Sequence, residues 1–119
     1  MRKGVGMLAE LRNGTYRWKL NSSDKDYMGS FELYEMAFNQ FSNDPVVELW
    51  SFGIYGQFRG KGYGQQMLKE VIELTRNKQL MLDVYKDNDI AIHVYKKAGF
   101  KVVGDYGKYA WAMTYVGGQ

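Results

Sequence analysis

The alternation of hydrophobic and polar positions in the first half of the chain predicts strands. The dipeptide Asn13-Gly14 separates residues 7–11 from residues 15–20. Asn-Gly is a strong signal for a tight hairpin because both of its residues tolerate positive φ. The first half is therefore expected to contain a two-stranded antiparallel unit.

Residues 24–42 fit two different periodicities. Aromatic residues recur there at intervals of four and three, which is typical of one helix face, at Tyr27, Phe31, Tyr34, Phe38 and Phe41. Tyr34, Met36 and Phe38 also occupy alternate positions, and aromatic residues favour pleated surfaces. Periodicity alone leaves both a helix and a strand open for this segment.

The second half of the chain predicts two strand–helix units followed by two strands. Apolar residues recur there with strand spacing and helix spacing in turn. The expected elements are a strand over 46–55, a helix to about Arg76, a strand over 80–85, a helix from Asp87 or Asn88 to Gly99, and strands over 100–103 and 109–116. This order indicates an α/β or α+β domain with a partly parallel sheet.

Composition excludes several kinds of site. The 119 residues fit one domain spanning 1–119. The chain has no cysteine and one histidine, His93, which excludes disulfides, thiolate zinc sites, cysteine nucleophiles and multi-histidine metal sites. No metal is therefore expected. The single histidine is expected to lie on a solvated surface.

Charge and hydropathy point away from two classes of partner. The 16 Lys and Arg against 13 Asp and Glu give a net charge of +3, which is too small to indicate nucleic-acid binding. No apolar run approaches the roughly 20 residues needed to span a bilayer, and Glu10 and Arg12 interrupt any signal-peptide core. A cytoplasmic location without a membrane partner is expected.

A glycine-rich loop, Arg59-Gly60-Lys61-Gly62-Tyr63-Gly64, joins a predicted strand to a predicted helix. The first N–H groups of a helix have no partner within it, and the helix dipole places positive partial charge there. Glycines let phosphate oxygens approach the backbone closely. The loop is a candidate anion site, and a plain glycine turn that binds nothing is the alternative.

This loop resembles the Arg/Gln-x-x-Gly-x-Gly/Ala signature of the GNAT superfamily of N-acetyltransferases. Residues 88–100 resemble the family segment Asn-x-x-Ala-x-x-x-Tyr-x-x-x-Gly-Phe. The two motifs occur in the family's order and separation, over about residues 46–104. The resemblance implies a GNAT-like mixed, mostly antiparallel twisted sheet, with a splayed parallel pair at its centre and flanking helices.

The resemblance also implies a cosubstrate, acetyl-CoA, and residues that bind it. The glycine loop would hold the pyrophosphate, the preceding strand end would bind the pantetheine arm, and Asn88 would contact that arm or cap its helix. The residues carried over are Phe52, Gly53, Ile54, Arg59, Gly60, Lys61, Gly62, Gly64, Gln65 and Asn88. A local break in strand pairing near residues 52–54 would free backbone N–H groups for the oxyanion.

Two residues are candidates for proton transfer. Tyr95 matches the family tyrosine that protonates the leaving thiolate, although a tyrosine at this spacing is more often a core residue. Glu48 resembles the glutamate base of histone-type members. Its strand alternation places Trp50, Phe52 and Ile54 on the same face, where the aromatic rings would desolvate it. Two further glutamates, Glu32 and Glu35, are fallback candidates for this base.

The N-terminal half departs from the family pattern. Family members usually carry one or two helices between the first two strands, but only 45 residues precede Val46 here. A strand is favoured for residues 28–37, because the strand over 46–55 needs an antiparallel neighbour in this fold. The acceptor side would then be open, which suits a protein acceptor, a homodimer or an inactive domain.

The sequence therefore predicts transfer of an acetyl group from acetyl-CoA to a primary amine. The transfer would be direct, in a ternary complex, because no cysteine is present to carry the acyl group. A catalytically silent acyl-CoA-binding or protein-interaction module on the same fold is the alternative. Binding of nucleic acid through the basic loop is a third and weaker hypothesis.

Overall fold

The computed structural model describes residues 7–117, which form seven strands and two α-helices. The expectations for residues 1–6 and 118–119, including the ends of the 1–119 domain, lie outside the described residues. The elements are β1 (Met7–Arg12), β2 (Thr15–Lys19), β3 (Gly29–Met36), β4 (Val46–Ile54), α1 (Tyr63–Leu74), β5 (Gln79–Tyr85), α2 (Asp89–Ala98), β6 (Phe100–Tyr106) and β7 (Ala110–Tyr115).

All seven strands belong to one sheet in the order β1-β2-β3-β4-β5-β7-β6. Every neighbouring pair is antiparallel except β4 and β5, which run parallel. The parallel pairing extends only from Val46↔Gln79 to Leu49↔Leu82, and beyond it the two strands no longer pair with each other. The mixed, mostly antiparallel sheet with a splayed parallel pair is confirmed.

Two open expectations about the first half are resolved. The Asn13-Gly14 hairpin joins β1 to β2, with Gly14 at a φ of 84°. The ambiguous segment forms a strand, β3, which pairs antiparallel with both β2 and β4. The favoured strand over 28–37 is confirmed, because cross-strand pairing on two sides outweighs the helical spacing of the aromatic residues.

One face of the sheet, here called the helix face, packs against α1 and α2. Met67, Leu68 and Val71 of α1 are fully buried there with Val47 and Leu49 of β4. Each side chain of this kind stabilises the fold by about 1.5–3 kcal/mol on burial. The helices therefore fix the position of the glycine loop relative to the end of β4.

The opposite face of the sheet, here called the second face, carries no helix among the described residues. The loop between β3 and β4 covers part of it, since the ring of Phe41 lies against the backbone of Gly104. Tyr34 and Trp50 remain well exposed on the part that this loop leaves open. No described helix has the length and hydropathy needed to cross a membrane.

A β-bulge in β4 corrects one expectation about side-chain direction. Glu32 pairs with Trp50 and Ser30 with Gly53, so β4 contains one residue more than β3 between these pairs. Ser51 adopts a φ of 54° there. The extra residue shifts Phe52 and Ile54 to the helix face, where both pack against the core.

The predicted grouping of Glu48, Trp50, Phe52 and Ile54 on one face is therefore wrong. Only Glu48 and Trp50 share the second face, and Phe52 does not lie beside the Glu48 carboxylate. A break in strand pairing is present at this bulge, but it lies at Ser51 and Phe52, because residues 53 and 54 still pair with β3.

Candidate functional site

A cavity of about 610 Å³ opens where β4 and β5 diverge. Beyond Leu49 of β4 and Leu82 of β5, the facing edges of the two strands are no longer hydrogen-bonded to each other. The cavity brings together Phe52, Asn88 and Tyr95 from the predicted site. Its lining residues are Leu49, Trp50, Ser51, Phe52, Leu82, Asp83, Val84, Tyr85, Asn88, Ala91, Tyr95, Tyr106 and Ala110.

A larger groove, of about 1160 Å³, lies elsewhere, between the C-terminal end of α1 and the β1–β2 hairpin. Of the predicted residues, only the fallback glutamates Glu32 and Glu35 line it. It contains neither the glycine loop nor Tyr95. Because Phe52, Asn88 and Tyr95 line the cavity between β4 and β5, that cavity is the candidate site, even though the other groove is larger.

The glycine loop presents open backbone at the N-terminus of α1. Gly60 and Gly62 have φ values of 78° and 82°, and a Cβ at either position would meet no atom within 4 Å. Gly62 is the N-cap residue, no side chain caps the helix, and its first turn contains no acidic residue. The first N–H groups of α1 and the dipole of the helix are thus available to an anion. The loop therefore keeps the open backbone that a candidate anion site requires.

Arg59 stabilises this loop as well as charging it. Its Nε donates a hydrogen bond of 2.8 Å to the carbonyl oxygen of Ile54, at the end of β4. Lys61 is exposed on the loop, and Gln65 is half-buried in the first turn of α1. Gly64 differs from the other two glycines, since a Cβ there would make an ordinary contact of 3.9 Å with Ile54.

Tyr95 projects from α2 into the core beside the cavity. Its ring makes edge contacts with Phe52 and Phe100, at centroid distances of 6.1 and 5.7 Å. Burial raises the pKa of the Tyr95 hydroxyl to about 12. The hydroxyl therefore stays protonated at physiological pH and can act as a donor in the cavity wall.

Asn88 is the N-cap residue of α2. Its side-chain oxygen accepts a hydrogen bond of 3.2 Å from the backbone N–H of Ala91. Asn88 also lines the cavity, so capping and cavity lining are both present. Gly99 ends the same helix at a φ of 116°, as the sequence predicts. The single histidine, His93, is exposed on α2, as expected.

Glu48 is held by two hydrogen bonds on the second face. Its Oε1 accepts from Nε1 of Trp50 at 2.9 Å, and its Oε2 accepts from Nδ2 of Asn39 at 3.1 Å. The fallback residues line the larger groove and not the cavity between β4 and β5. Glu32 accepts a hydrogen bond from the hydroxyl of Tyr34, and Glu35 forms an exposed ion pair with Lys78.

Asp83 is the residue of the site that the sequence analysis missed. It lines the cavity from β5, two residues beyond Met81, which pairs with Glu48. Although the residue remains partly exposed, burial of its carboxyl raises its pKa to about 6, and the negative charge of Glu48 adds to that rise. The sequence does contain one signal that could have identified Asp83: it is a single carboxylate in the otherwise apolar run Leu80-Met81-Leu82-Asp83-Val84.

The raised pKa predicts that Asp83→Asn stabilises the protein at high pH only. A carboxyl with a pKa above its unfolded value stabilises the folded state when protonated, and this stabilisation is lost as the pH rises through about 6. Solvent exposure reduces the effect to about 1 kcal/mol. Thermal unfolding should show a variant Tm about 4 °C above wild type at pH 8. The two values should converge near pH 4, and a difference that does not depend on pH would contradict the burial of this charge.

Comparison with known proteins agrees with this geometry. Residues 8–100 match the Acetyltransferase (GNAT) family, which is most of the chain. The chain belongs to this family. The GNAT resemblance of the glycine loop and of the segment over residues 88–100 is thereby confirmed.

Individual GNAT relatives match at moderate identity. The chain is 31% identical over 88 residues to the uncharacterized N-acetyltransferase YdgE of Bacillus subtilis, an alignment that covers 71% of this chain and 54% of YdgE. The chain spans about half the length of the curated relatives it matches first.

Solved GNAT-like structures share the fold at lower identity. PH1933 from Pyrococcus horikoshii superposes with a TM-score of 0.74 at 23% identity, covering 89% of this chain and 66% of that one. A GNAT family acetyltransferase from Elizabethkingia anophelis, solved with acetyl-CoA bound, gives a TM-score of 0.67 at 20% identity, covering 87% of this chain and 76% of that one. Both similarities support the GNAT fold seen in the described residues.

Proposed function

We propose that this GNAT domain transfers an acetyl group from acetyl-CoA to a primary amine, on a small molecule or a protein. The observation that carries the proposal is the cavity between β4 and β5. The open glycine loop lies at the N-terminus of the helix that follows β4, and Tyr95 stands in the cavity wall. The glycine loop would bind a phosphate group, and the Tyr95 hydroxyl would lie near a reacting thioester. This arrangement suits a cosubstrate that carries phosphates at one end and a thioester at the other.

The residues that would hold acetyl-CoA fall into two groups. The pyrophosphate would be bound by Arg59, Gly60, Lys61, Gly62, Gly64 and Gln65. The pantetheine arm would be bound by the strand end Phe52, Gly53 and Ile54 with Asn88. The open backbone at Gly60 and Gly62 supports the first assignment, because nothing within 4 Å fills the space over either residue. The E. anophelis relative, solved with acetyl-CoA bound, supports the same class of cosubstrate.

Three parts of the chain would serve the reaction. Acetyl-CoA supplies the acetyl group as a thioester, whose sulfur leaves as a thiolate. The Tyr95 hydroxyl would donate a proton toward that sulfur. The bulge around Ser51 interrupts the β3–β4 hydrogen bonding, so its backbone N–H groups are candidates for the oxyanion. The carboxylates on the second face, Glu48 and Asp83, are the candidates for accepting the proton of the amine.

The composition of the chain supports direct attack by the amine. The chain contains no cysteine, so no thiolate is available to form an acyl-enzyme by the commonest route. Both substrates would be bound together, with the cosubstrate entering along the glycine loop and the acceptor from the second face. The part of that face beside Trp50 is open to solvent.

Incubation with acetyl-CoA and a panel of amines tests the proposal. Small amines, polyamines and peptides with free amino groups would each be assayed by mass spectrometry of the acetylated product and by release of the CoA thiol. We expect equal amounts of acetylated amine and free CoA with at least one class. Binding of acetyl-CoA without turnover across the panel would instead favour the silent acyl-CoA-binding module.

A further inference from the structure

Two carboxylates meet on the second face where the parallel strands diverge. Glu48 lies on β4, next to Met81 of β5, and Asp83 follows two residues farther along the same face of β5. The two carboxylates line one small, partly open cavity of about 10 Å³. That volume is close to the minimum that holds one water molecule. Asp83 and Glu48 are thus close neighbours, which agrees with the electrostatic effect of Glu48 on Asp83.

The two carboxylates differ in their hydrogen bonds. Both oxygens of Glu48 accept hydrogen bonds, from Trp50 and Asn39. Of the described residues, none donates a hydrogen bond to the Asp83 carboxyl, and none forms an ion pair with it. The Glu48 carboxylate is therefore held in place by these two hydrogen bonds. The lone pairs of the Asp83 carboxyl, in contrast, are available to a ligand.

Asp83 also occupies the junction between the two cavities. It lines the small cavity with Glu48, and it lines the cavity of about 610 Å³ between β4 and β5 with Tyr95. Glu48 lines only the small one. A group that removes a proton from the amine must lie within reach of the reacting centre, and of the two carboxylates only Asp83 meets this condition.

We infer that Asp83 accepts the proton of the acceptor ammonium, and that Glu48, its neighbour on β4, is a positioning residue. This inference rests on the proposed acetyl transfer and names its base. It also names the chemical class of acceptor: a primary ammonium, attracted by two carboxylates and bordered by the aromatic ring of Trp50. An exposed aromatic face adds cation–π attraction for such a group.

The protons balance as follows in this scheme. A carboxylate oxygen of Asp83 takes a proton from the ammonium, which leaves a neutral carboxylic acid and a free lone pair on the nitrogen. The new C–N bond forms from that lone pair, and the C–S bond breaks with its electron pair on sulfur. The nitrogen loses two protons in all. The first passes from Asp83 to solvent, and the second replaces the proton that the Tyr95 hydroxyl gives to the sulfur.

The titratable groups around Asp83 favour this role. Glu48 faces it from β4, and Tyr85, Tyr95 and Tyr106 line the cavity between β4 and β5 together with it. The nearest lysine in sequence, Lys86, is engaged elsewhere, in an ion pair with Asp105 and over the ring of Trp111. The pKa of Asp83 is raised to about 6. A carboxyl with this pKa is mostly ionised at neutral pH and is a stronger base than an ordinary carboxylate.

Three variants in the full chain test the inference through their pH profiles. Asp83→Asn removes the base and Glu48→Gln removes the neighbouring charge. Asp44→Asn, in the exposed loop before β4, is the matched control. We expect Asp83→Asn to lower kcat/KM for the amine about 100-fold at pH 7.5. Its residual rate should climb about tenfold per pH unit up to the pKa of the amine, because only the neutral amine then reacts. The control should keep the wild-type profile.

Carbon NMR titration of the aspartate carboxyls gives a readout that does not depend on turnover. The Asp83 signal should titrate near pH 6 in wild type and at lower pH in Glu48→Gln, and the low-pH limb of kcat/KM should shift with it. A wild-type rate and profile in Asp83→Asn would overturn this inference while the acetyl transfer itself stands. Absence of turnover in wild type with every amine would overturn both.

Discussion

Gly62→Ala is expected to weaken acetyl-CoA binding at least tenfold while the protein stays folded. Gly62 has a φ of 82° and starts α1 without a side-chain cap. A Cβ there meets no protein atom within 4 Å, so the cost to folding is confined to the strained backbone, about 1–2 kcal/mol. The same Cβ would stand where a phosphate approaches the helix N–H groups. A loss of 1.4 kcal/mol in binding is a tenfold weaker Kd.

Gly107→Ala is the matched control for this prediction. Gly107 lies between β6 and β7 at a φ of 69°, and a Cβ there would also meet no atom within 4 Å. The control carries the same kind of backbone strain, about 1–2 kcal/mol, so it should melt at about the temperature of Gly62→Ala but should keep the wild-type affinity. Calorimetric titration of acetyl-CoA into both variants measures the difference. Equal affinities in Gly62→Ala and wild type would remove the glycine loop from the binding site.

Tyr95→Phe is expected to lower kcat by about 100-fold with little change in acetyl-CoA affinity. The substitution removes the hydroxyl and keeps the ring that contacts Phe52 and Phe100. A donor to the departing sulfur acts mainly as negative charge develops there, so its loss should fall on kcat rather than on binding. Because the pKa of the hydroxyl is about 12, no loss of activity from its ionisation is expected below about pH 11.

Tyr115→Phe provides the control for the tyrosine. Tyr115 packs against the opposite part of the same aromatic cluster, with its ring 5.5 Å from that of Phe100, and it does not line the cavity. It should keep the wild-type kcat, and both variants should unfold at similar temperatures. A Tyr95→Phe protein with undiminished kcat would leave Tyr95 as a core residue only.

The parts of the fold that local chemistry determines could be predicted from the sequence. The Asn13-Gly14 turn, the cap at Asn88 and the stop at Gly99 each need a residue type that tolerates one backbone geometry, and each stands where predicted. The glycine loop was predicted for the same reason. These signals lie within a few residues, so no knowledge of distant contacts was required.

The features that depend on pairing between distant strands could not be predicted. The bulge at Ser51 exists because β3 and β4 differ by one residue between two paired positions, and serine carries no signal for a positive φ. Strict alternation therefore placed Phe52 beside Glu48. Asp83 acquires its raised pKa from burial and from Glu48 on the neighbouring strand, and neither is visible in the sequence of β5 alone.

Calorimetric titration of acetyl-CoA into the purified protein tests most directly whether the opening between β4 and β5 is a cosubstrate site. Parallel titrations with CoA and ATP separate recognition of the whole cosubstrate from binding of any phosphate. The predicted result is one binding site for acetyl-CoA, a similar site for CoA, much weaker binding of ATP, and a loss of affinity in Gly62→Ala. No binding at millimolar acetyl-CoA would contradict the cosubstrate site.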